Sequence, residues 1–388
     1  MILVATALAA PGSTMAGPAA AQDCLYVLNQ LGGSITVIRR SSNSVLTTIP
    51  NTECAGAAHC SPTALELTAS TTSGYVTRQD ASVVYVIDPL ARRVVGTVPY
   101  PAQSSPAAAA LSPDGAKLYV ANLAMDSVAV IDTASMAVVD SIDVGGQPRA
   151  VAVSPDGTTV LVGNNRDDSV TLIRASDDAV LDTVTVGGHP AGIAISADSA
   201  RAFITNGNSA SVSVLTIATR AVSAPIPVGQ SPRGIALAGT LAFVTNVLDG
   251  TVSVIDTTAG AVVGNAITVG TGPVAVLTAT DGATAYVANL SSNTVSVVDT
   301  ATRAVSTIAN IGTPFDLAFG ACPQVAACTG DCNGDGAVLI NELILGVNIA
   351  LESRSIDACP AFDNDGSGTV TIAELVRAVG FALNACPS

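Results

Sequence analysis

Tryptophan is absent from this 388-residue chain, and lysine occurs once, at Lys117. Aromatic residues make up 3% of the sequence, which leaves few platforms for stacking sugars or bases. Fifteen basic residues stand against thirty acidic ones, for a formal net charge of −15. Nucleic acid needs Lys and Arg against its phosphates, so that partner class is excluded. Two histidines, His59 and His189, are too few for a His-rich catalytic metal centre. No stretch offers some twenty uninterrupted apolar residues, so no membrane span is expected.

What is present begins with a targeting pattern. "MILVATALAAPGSTMAGPAAAQDC" has an apolar stretch followed by small residues ending in Ala19-Ala20-Ala21. This matches the h-region and A-x-A site of a secretory signal over residues 1–21, although the positive n-region is missing. The mature chain is expected to begin near Gln22 and to be secreted, periplasmic or at the cell surface. Eight cysteines, an even number in an exported chain, point to disulfides.

A repeat organises the middle of the chain. "PAAAALSPDGAKLYVANLAMDSVAVIDTASMAVVDSIDVGGQP" runs from Pro106 to Pro148, and a similar unit follows to Pro190. Further prolines fall at Pro232, Pro273 and Pro314, a period of 42, 42, 42, 41 and 41 residues. Each unit holds four short alternating or β-branched runs separated by turn residues, so each reads as four strands. In "SPDG", Pro113 presets one backbone angle and Gly115 permits a positive one. Four strands in about 42 residues make one blade of a β-propeller. The second strand recurs seven times, from "YVLN" at Tyr26 to "YVAN" at Tyr286. "PFDLAFG" after Pro314 is a first strand without a second, and "CLYVLN" is a second without a first. The fold expected is mainly β: a seven-bladed propeller over residues 22–322 closed by strands from both ends. Closure of this kind protects sheet edges.

The repeat resembles the YVTN family of β-propellers, through "FVTN" at 243–246, "FITN" at 203–206, "SPDG" at 112–115 and 154–157, and "VIDT" at 130–133 and 254–257. The resemblance implies a propeller of surface or secreted proteins and a structural role for the closing Asn. It says little of function.

Residues 323–329 read as a linker and 330–388 as a small α-helical module. "DCNGDGAVLINE" places Asp331, Asn333 and Asp335 at loop positions one, three and five, with the Ala337 carbonyl at seven and Glu342 at twelve. "DNDGSGTVTIAE" repeats this with Asp363, Asp365, Ser367, Thr369 and Glu374. That is the EF-hand spacing, which converges oxygen ligands on a hard cation. Two calcium ions are the expected cofactors. A helix should follow each loop, the first with Leu339, Leu343, Val347 and Ala350 near one face. The twenty residues between Glu342 and Asp363 make the module resemble dockerin, which plugs into cohesin domains. Dockerins commonly carry Asp at position twelve after a Ser-Thr pair. Here Ile340-Asn341 and Ile372-Ala373 precede Glu, so a cohesin-like partner is implied only weakly.

The residues after each blade's proline are Thr63, Ala107, Arg149, Ala191, Arg233, Val274 and Phe315, with Asp316 next along. Arg149, Arg233, Asp316 and His189 would form a ligand mouth able to hold an anion. They supply no nucleophile–base pair, so the leading expectation is a non-catalytic binding or surface-scaffold propeller with a protein or cell-surface partner. The alternative is a lactonase-like or quinoprotein-like enzyme acting in the funnel.

Aligning the ring-closing blade to the unit at Pro148 puts Cys322 on Asp156 and Cys24 on Thr159. Those are positions i and i+3 of a turn, within about 7 Å of each other, so Cys24 and Cys322 are expected to bond. Cys54 would pair with Cys60, leaving Cys328, Cys332, Cys359 and Cys386 for two bonds in the tail.

Overall fold

The computed structural model describes residues 23–50, 61–323, 329–332, 338–363 and 369–384. The proposed signal segment, Cys54, Cys60, Cys328, Cys386, Asn333, Asp335, Ala337, Asp365 and Ser367 lie outside the described residues.

The alternating and β-branched runs fold into seven antiparallel sheets, each one blade. In the unit starting at Pro148 the strands Pro148–Val153, Thr159–Asn164, Ser169–Arg174 and Ala179–Thr185 pair in sequence order from the axis outward. Composition follows depth. The second strand, "TVLVGN", is buried at every residue, whereas the outer strand alternates between exposed and half-buried. In two blades the outer strand is split into two short pieces, Ala221–Val222 with Ile226–Pro227 and Ala261–Val262 with Ile267–Thr268.

Blades hold one another by apolar faces. Tyr119, Val128 and Val130 of one blade pack with Val160, Val162 and Ile173 of the next. Leu161, Val170 and Leu172 then pack with Ala202, Ile204 and Leu215. Each fully buried side chain of this size contributes about 1.5–3 kcal/mol. The single lysine also links blades: Lys117 Nζ donates to Asp178 Oδ2 at 2.7 Å and to the Ala175 carbonyl at 3.0 Å. Each inner strand contacts the next, from Pro62–Leu67 round to Pro314–Gly320, so the ring is complete.

The last blade is assembled from both ends of the propeller. Strand Pro314–Gly320 lies beside Cys24–Asn29, pairing Leu25 with Phe319 and Val27 with Leu317. Cys24 and Cys322 are bonded next to that seam, with S–S 2.06 Å and Cα–Cα 5.0 Å across a sequence separation of 298. The disulfides indicate an oxidising environment. No helix among the described residues is long and apolar enough to cross a membrane.

The closing Asn of the second strand is buried and structural. Asn206 Nδ2 donates to Ser211 Oγ at 3.1 Å and Ser213 Oγ at 2.9 Å. Asn164, Asn246, Asn289 and Asn29 bond in the same way to the residues five and seven further on. Each ties its hairpin tip to the third strand.

Two helices follow the propeller, α1 (Ile340–Ala350) and α2 (Ile372–Asn384). Cys332 and Cys359 are bonded, S–S 2.13 Å, and sit with Phe362, Ile349 and Ala378 in a small apolar cluster. The inward face of α1 matches the expected one in part, since Leu343 and Ala350 pack against that cluster. Glu342, Gly346 and Ile349 point in, whereas Leu339 and Val347 are exposed. The helix is oriented by Glu342, whose buried carboxylate accepts hydrogen bonds from the backbone N–H groups of Cys332 at 2.9 Å and Leu339 at 2.8 Å.

Candidate functional site

The inner strand of every blade begins with proline, whose missing N–H is harmless at a strand start. In each blade the register then slips by at least one residue. Pro148 faces Asn164, yet Ala150 faces Gly163, so Arg149 is an unpaired bulge. The same slip leaves Thr63, Ala107, Ala191, Val274 and Phe315 as bulges, and Arg233 with Gly234 in the longest one. A bulge bends its strand and re-aims a side chain. Six of these seven positions line one cavity of about 630 Å³ at the end of the ring where the inner strands start. Below it the cavity continues into a channel of about 210 Å³ lined by the inner strands themselves.

The inner strands carry four ionisable side chains in all: Glu66, Arg149, Arg233 and Asp316. All four line the channel. Arg149 is exposed to the mouth, and Arg233 is half-buried, with its guanidinium carbon 4.4 Å from the centre of the Phe315 ring. Burial first, and then repulsion from Arg149, push Arg233 down to about 10. Asp316 lies one residue further down its strand. Its Oδ2 accepts a hydrogen bond from the Leu65 N–H and its Oδ1 one from the Leu317 N–H, both at 2.9 Å. Burial raises its carboxyl to about 6 against the pull of those two donors and of Arg233. Glu66 touches channel solvent but is walled in by the ring. Burial, and then the neighbouring Asp316 charge, raise it to about 8.

The walls are close. A methyl group at Gly192 would overlap the Arg233 carbonyl oxygen, so Ala191–Gly192 can pass the Arg233 bulge only as glycine.

Arg149, Arg233 and His189 therefore meet at the upper cavity, and Asp316 lies in the channel below, within the field of Arg233. His189 is an exposed residue with φ 56°, held by a hydrogen bond from its N–H to Asp168 Oδ1 at 2.8 Å. Glu66 was missed from sequence. Its signal was available: in "PTALEL" it is the only acidic residue of the seven inner strands besides Asp316. Gln147, Asn165 and Asn208, from the loops above, also line the mouth.

Chemically, the site combines a cationic pair, a carboxyl group largely protonated near neutral pH and a second one largely ionised. That set can fix an anion, stabilise developing negative charge on oxygen, and give and take a proton.

A family model described as "Lactonase, 7-bladed beta-propeller" matches residues 19–181. No curated protein matches the chain. Among solved structures, hydrazine synthase from Kuenenia stuttgartiensis is 20% identical, with a TM-score of 0.64 over 76% of this chain and 99% of that one. A structure from Bacteroides fragilis described as a 6-phosphogluconolactonase is 16% identical, TM-score 0.62, over 76% and 97%. Virginiamycin B lyase from Staphylococcus aureus is 14% identical, TM-score 0.59, over 67% and 89%. The structural likenesses establish the propeller fold. The family match overturns the expectation of a propeller without catalysis, because the sequence resembles a family described by an enzymatic activity. That expectation rested on finding no acid–base pair at the mouth, and it overlooked Glu66 in the channel.

Proposed function

We propose that this chain is a hydrolase that opens lactones or related cyclic esters in the funnel of the propeller. One observation carries the reading: every ionisable side chain of the seven inner strands lines the same channel, two arginines above two carboxyls. The lactonase family match over residues 19–181 supports it. In this reading Arg149 and Arg233 bind the ester carbonyl and stabilise the oxyanion that forms when water adds to it. Asp316, ionised, takes a proton from the attacking water. Glu66, protonated, gives one to the ring oxygen as the C–O bond breaks. The product is a hydroxy acid whose carboxylate pairs with the arginines. Overall one water is consumed and one proton is released to solvent.

The test is proton release from a panel of γ- and δ-lactones by the purified chain. Arg149→Ala and Arg233→Ala are each expected to lower kcat/KM by at least tenfold. Absence of turnover across the panel, at protein concentrations that saturate a pH indicator assay, would reject the reading.

The closing module is proposed to hold two calcium ions, as its EF-hand and dockerin resemblance implies. The described residues fit a hard cation. Asp331 and Glu342 are both buried, at 4% and 3% exposure, and Glu342 bonds the backbone of Cys332, the residue next to Asp331. Glu374 is likewise buried, near the end of the second loop. A carboxylate-rich, all-oxygen donor set suits calcium. The YVTN likeness, the signal-like segment and the disulfides together support an exported protein, with the module stabilising it or docking it to a protein or cell-surface component.

A further inference from the structure

The rim of the mouth is built from equivalent residues of seven blades, so its chemistry can be compared position by position. The two residues after the closing Asn, or after Arg78 in the blade that lacks it, form each hairpin tip. In three neighbouring blades these tips are apolar or half apolar: Val247-Leu248, Leu290-Ser291 and, in the seam blade, Gln30-Leu31. In the two blades before them the tips are polar: Asn165-Arg166 and Gly207-Asn208. Leu290 and Phe315 line the cavity directly. Val247 packs with both against the same apolar cluster. Leu248 and Leu31 stand out into solvent at 77% and 68% exposure.

Backbone hydrogen bonds hold those two exposed leucines beside the mouth. The Leu248 N–H donates to the Gln230 carbonyl at 3.4 Å, next to the lining residue Ser231. The Leu31 N–H donates to Thr313 Oγ1 at 2.7 Å, next to the lining residue Gln30. Across the cavity stand Arg149, Gln147, Asn165 and His189. Arg233 marks the boundary, with its guanidinium over the Phe315 ring. The hairpin tip Leu123-Ala124, in the blade next to that of Arg149, is also apolar; like Leu31 and Leu248, neither of its residues lines the cavity.

The mouth therefore has a polar, cationic side and an apolar side. A cavity of this size takes a small molecule. Resting on the hydrolase reading above, we infer that the substrate is amphiphilic: a lactone whose ester group lies between Arg149 and Arg233 and whose alkyl or aryl substituent runs along Phe315, Leu290, Leu248 and Leu31.

The probe is a homologous series of γ-lactones, from γ-butyrolactone to members with progressively longer alkyl chains, assayed by proton release. For the wild-type chain, kcat/KM is expected to rise by about fourfold for each added methylene until the apolar side is covered. Leu31→Asn with Leu248→Asn changes only exposed tip residues, and it is expected to flatten that rise to less than twofold per methylene. A thermal melt of the double variant verifies that it is folded. Turnover of short and long members at equal kcat/KM would overturn the amphiphilic assignment while leaving the hydrolase reading intact. A steep rise that survives in the double variant would overturn the placement of the chain on this side of the mouth. Failure of the wild type to open any member would overturn both.

Discussion

Asp316 accepts a hydrogen bond from the Leu65 backbone N–H, 251 positions away in sequence, at 2.9 Å. The bond joins two adjacent inner strands, one on either side of the gap between the seam blade and the next. One carboxylate thus clasps the ring and supplies negative charge beneath two arginines.

The pH dependence of turnover follows from the two carboxyls. Activity needs Asp316 ionised and Glu66 protonated, so it should rise through about pH 6 and fall through about pH 8. Glu66→Gln should lower the maximum and remove the alkaline limb. Asp316→Asn should remove the acid limb. A pH–rate profile of kcat/KM for the three proteins checks this.

Stability should respond to Glu66 in the opposite direction to most carboxylates. Its folded value is about 8 against an ordinary 4.5. Between those pH values the native state binds more protons than the unfolded chain, so this group's contribution to stability falls as pH rises. Glu66→Gln is expected to stabilise the protein relative to wild type at pH 8, by up to about 4 kcal/mol, and to have little effect at pH 4. Denaturant melts at both pH values measure the difference.

Cys322→Ala should weaken the ring. Loss of a loop closure this long removes up to about 5 kcal/mol. Guanidinium melts of the variant and of the wild type under reducing conditions should shift together. Protease cleavage near residue 322 should become faster, because the disulfide no longer pins the end of the strand Pro314–Gly320.

Removal of calcium should unfold the tail module in part. Asp331, Glu342 and Glu374 are buried carboxylates, and losing the cation would remove the positive charge proposed to offset their burial. Far-ultraviolet circular dichroism of the full chain should lose helical signal on adding chelator and regain it with calcium. Calorimetric titration should show two binding events, one of which Asp363→Ala removes.

The propeller was legible because its signals are local and repeated. Prolines every 41 or 42 residues, "SPDG" turns and the buried second strand each mark a blade, and the half-blades at Cys24 and Pro314 marked the seam. The positions of Arg149 and Arg233 were legible from equivalence after each proline. Why those side chains reach the cavity was not, because a bulge is a property of two paired strands. Glu66 was hidden for a similar reason. Four residues from Pro62, it shares no position with the arginines until the ring brings neighbouring strands together. The face of α1 was legible in part: apolar spacing placed Leu343 and Ala350 correctly, but it missed that Glu342 is buried while Leu339 and Val347 are exposed.

The seam also sets the order in which the protein can be finished. Strand Cys24–Asn29 has no inner neighbour until residue 320 has been made, which at ordinary synthesis rates is about 15–60 s later. Throughout that interval one edge of the first sheet is open, and the Cys24 thiol waits while Cys54 and Cys60 are already available to it. A bond formed early to either one would leave Cys322 without its partner at the latch. Any such bond would have to exchange before Cys24 could meet Cys322 and latch the ring.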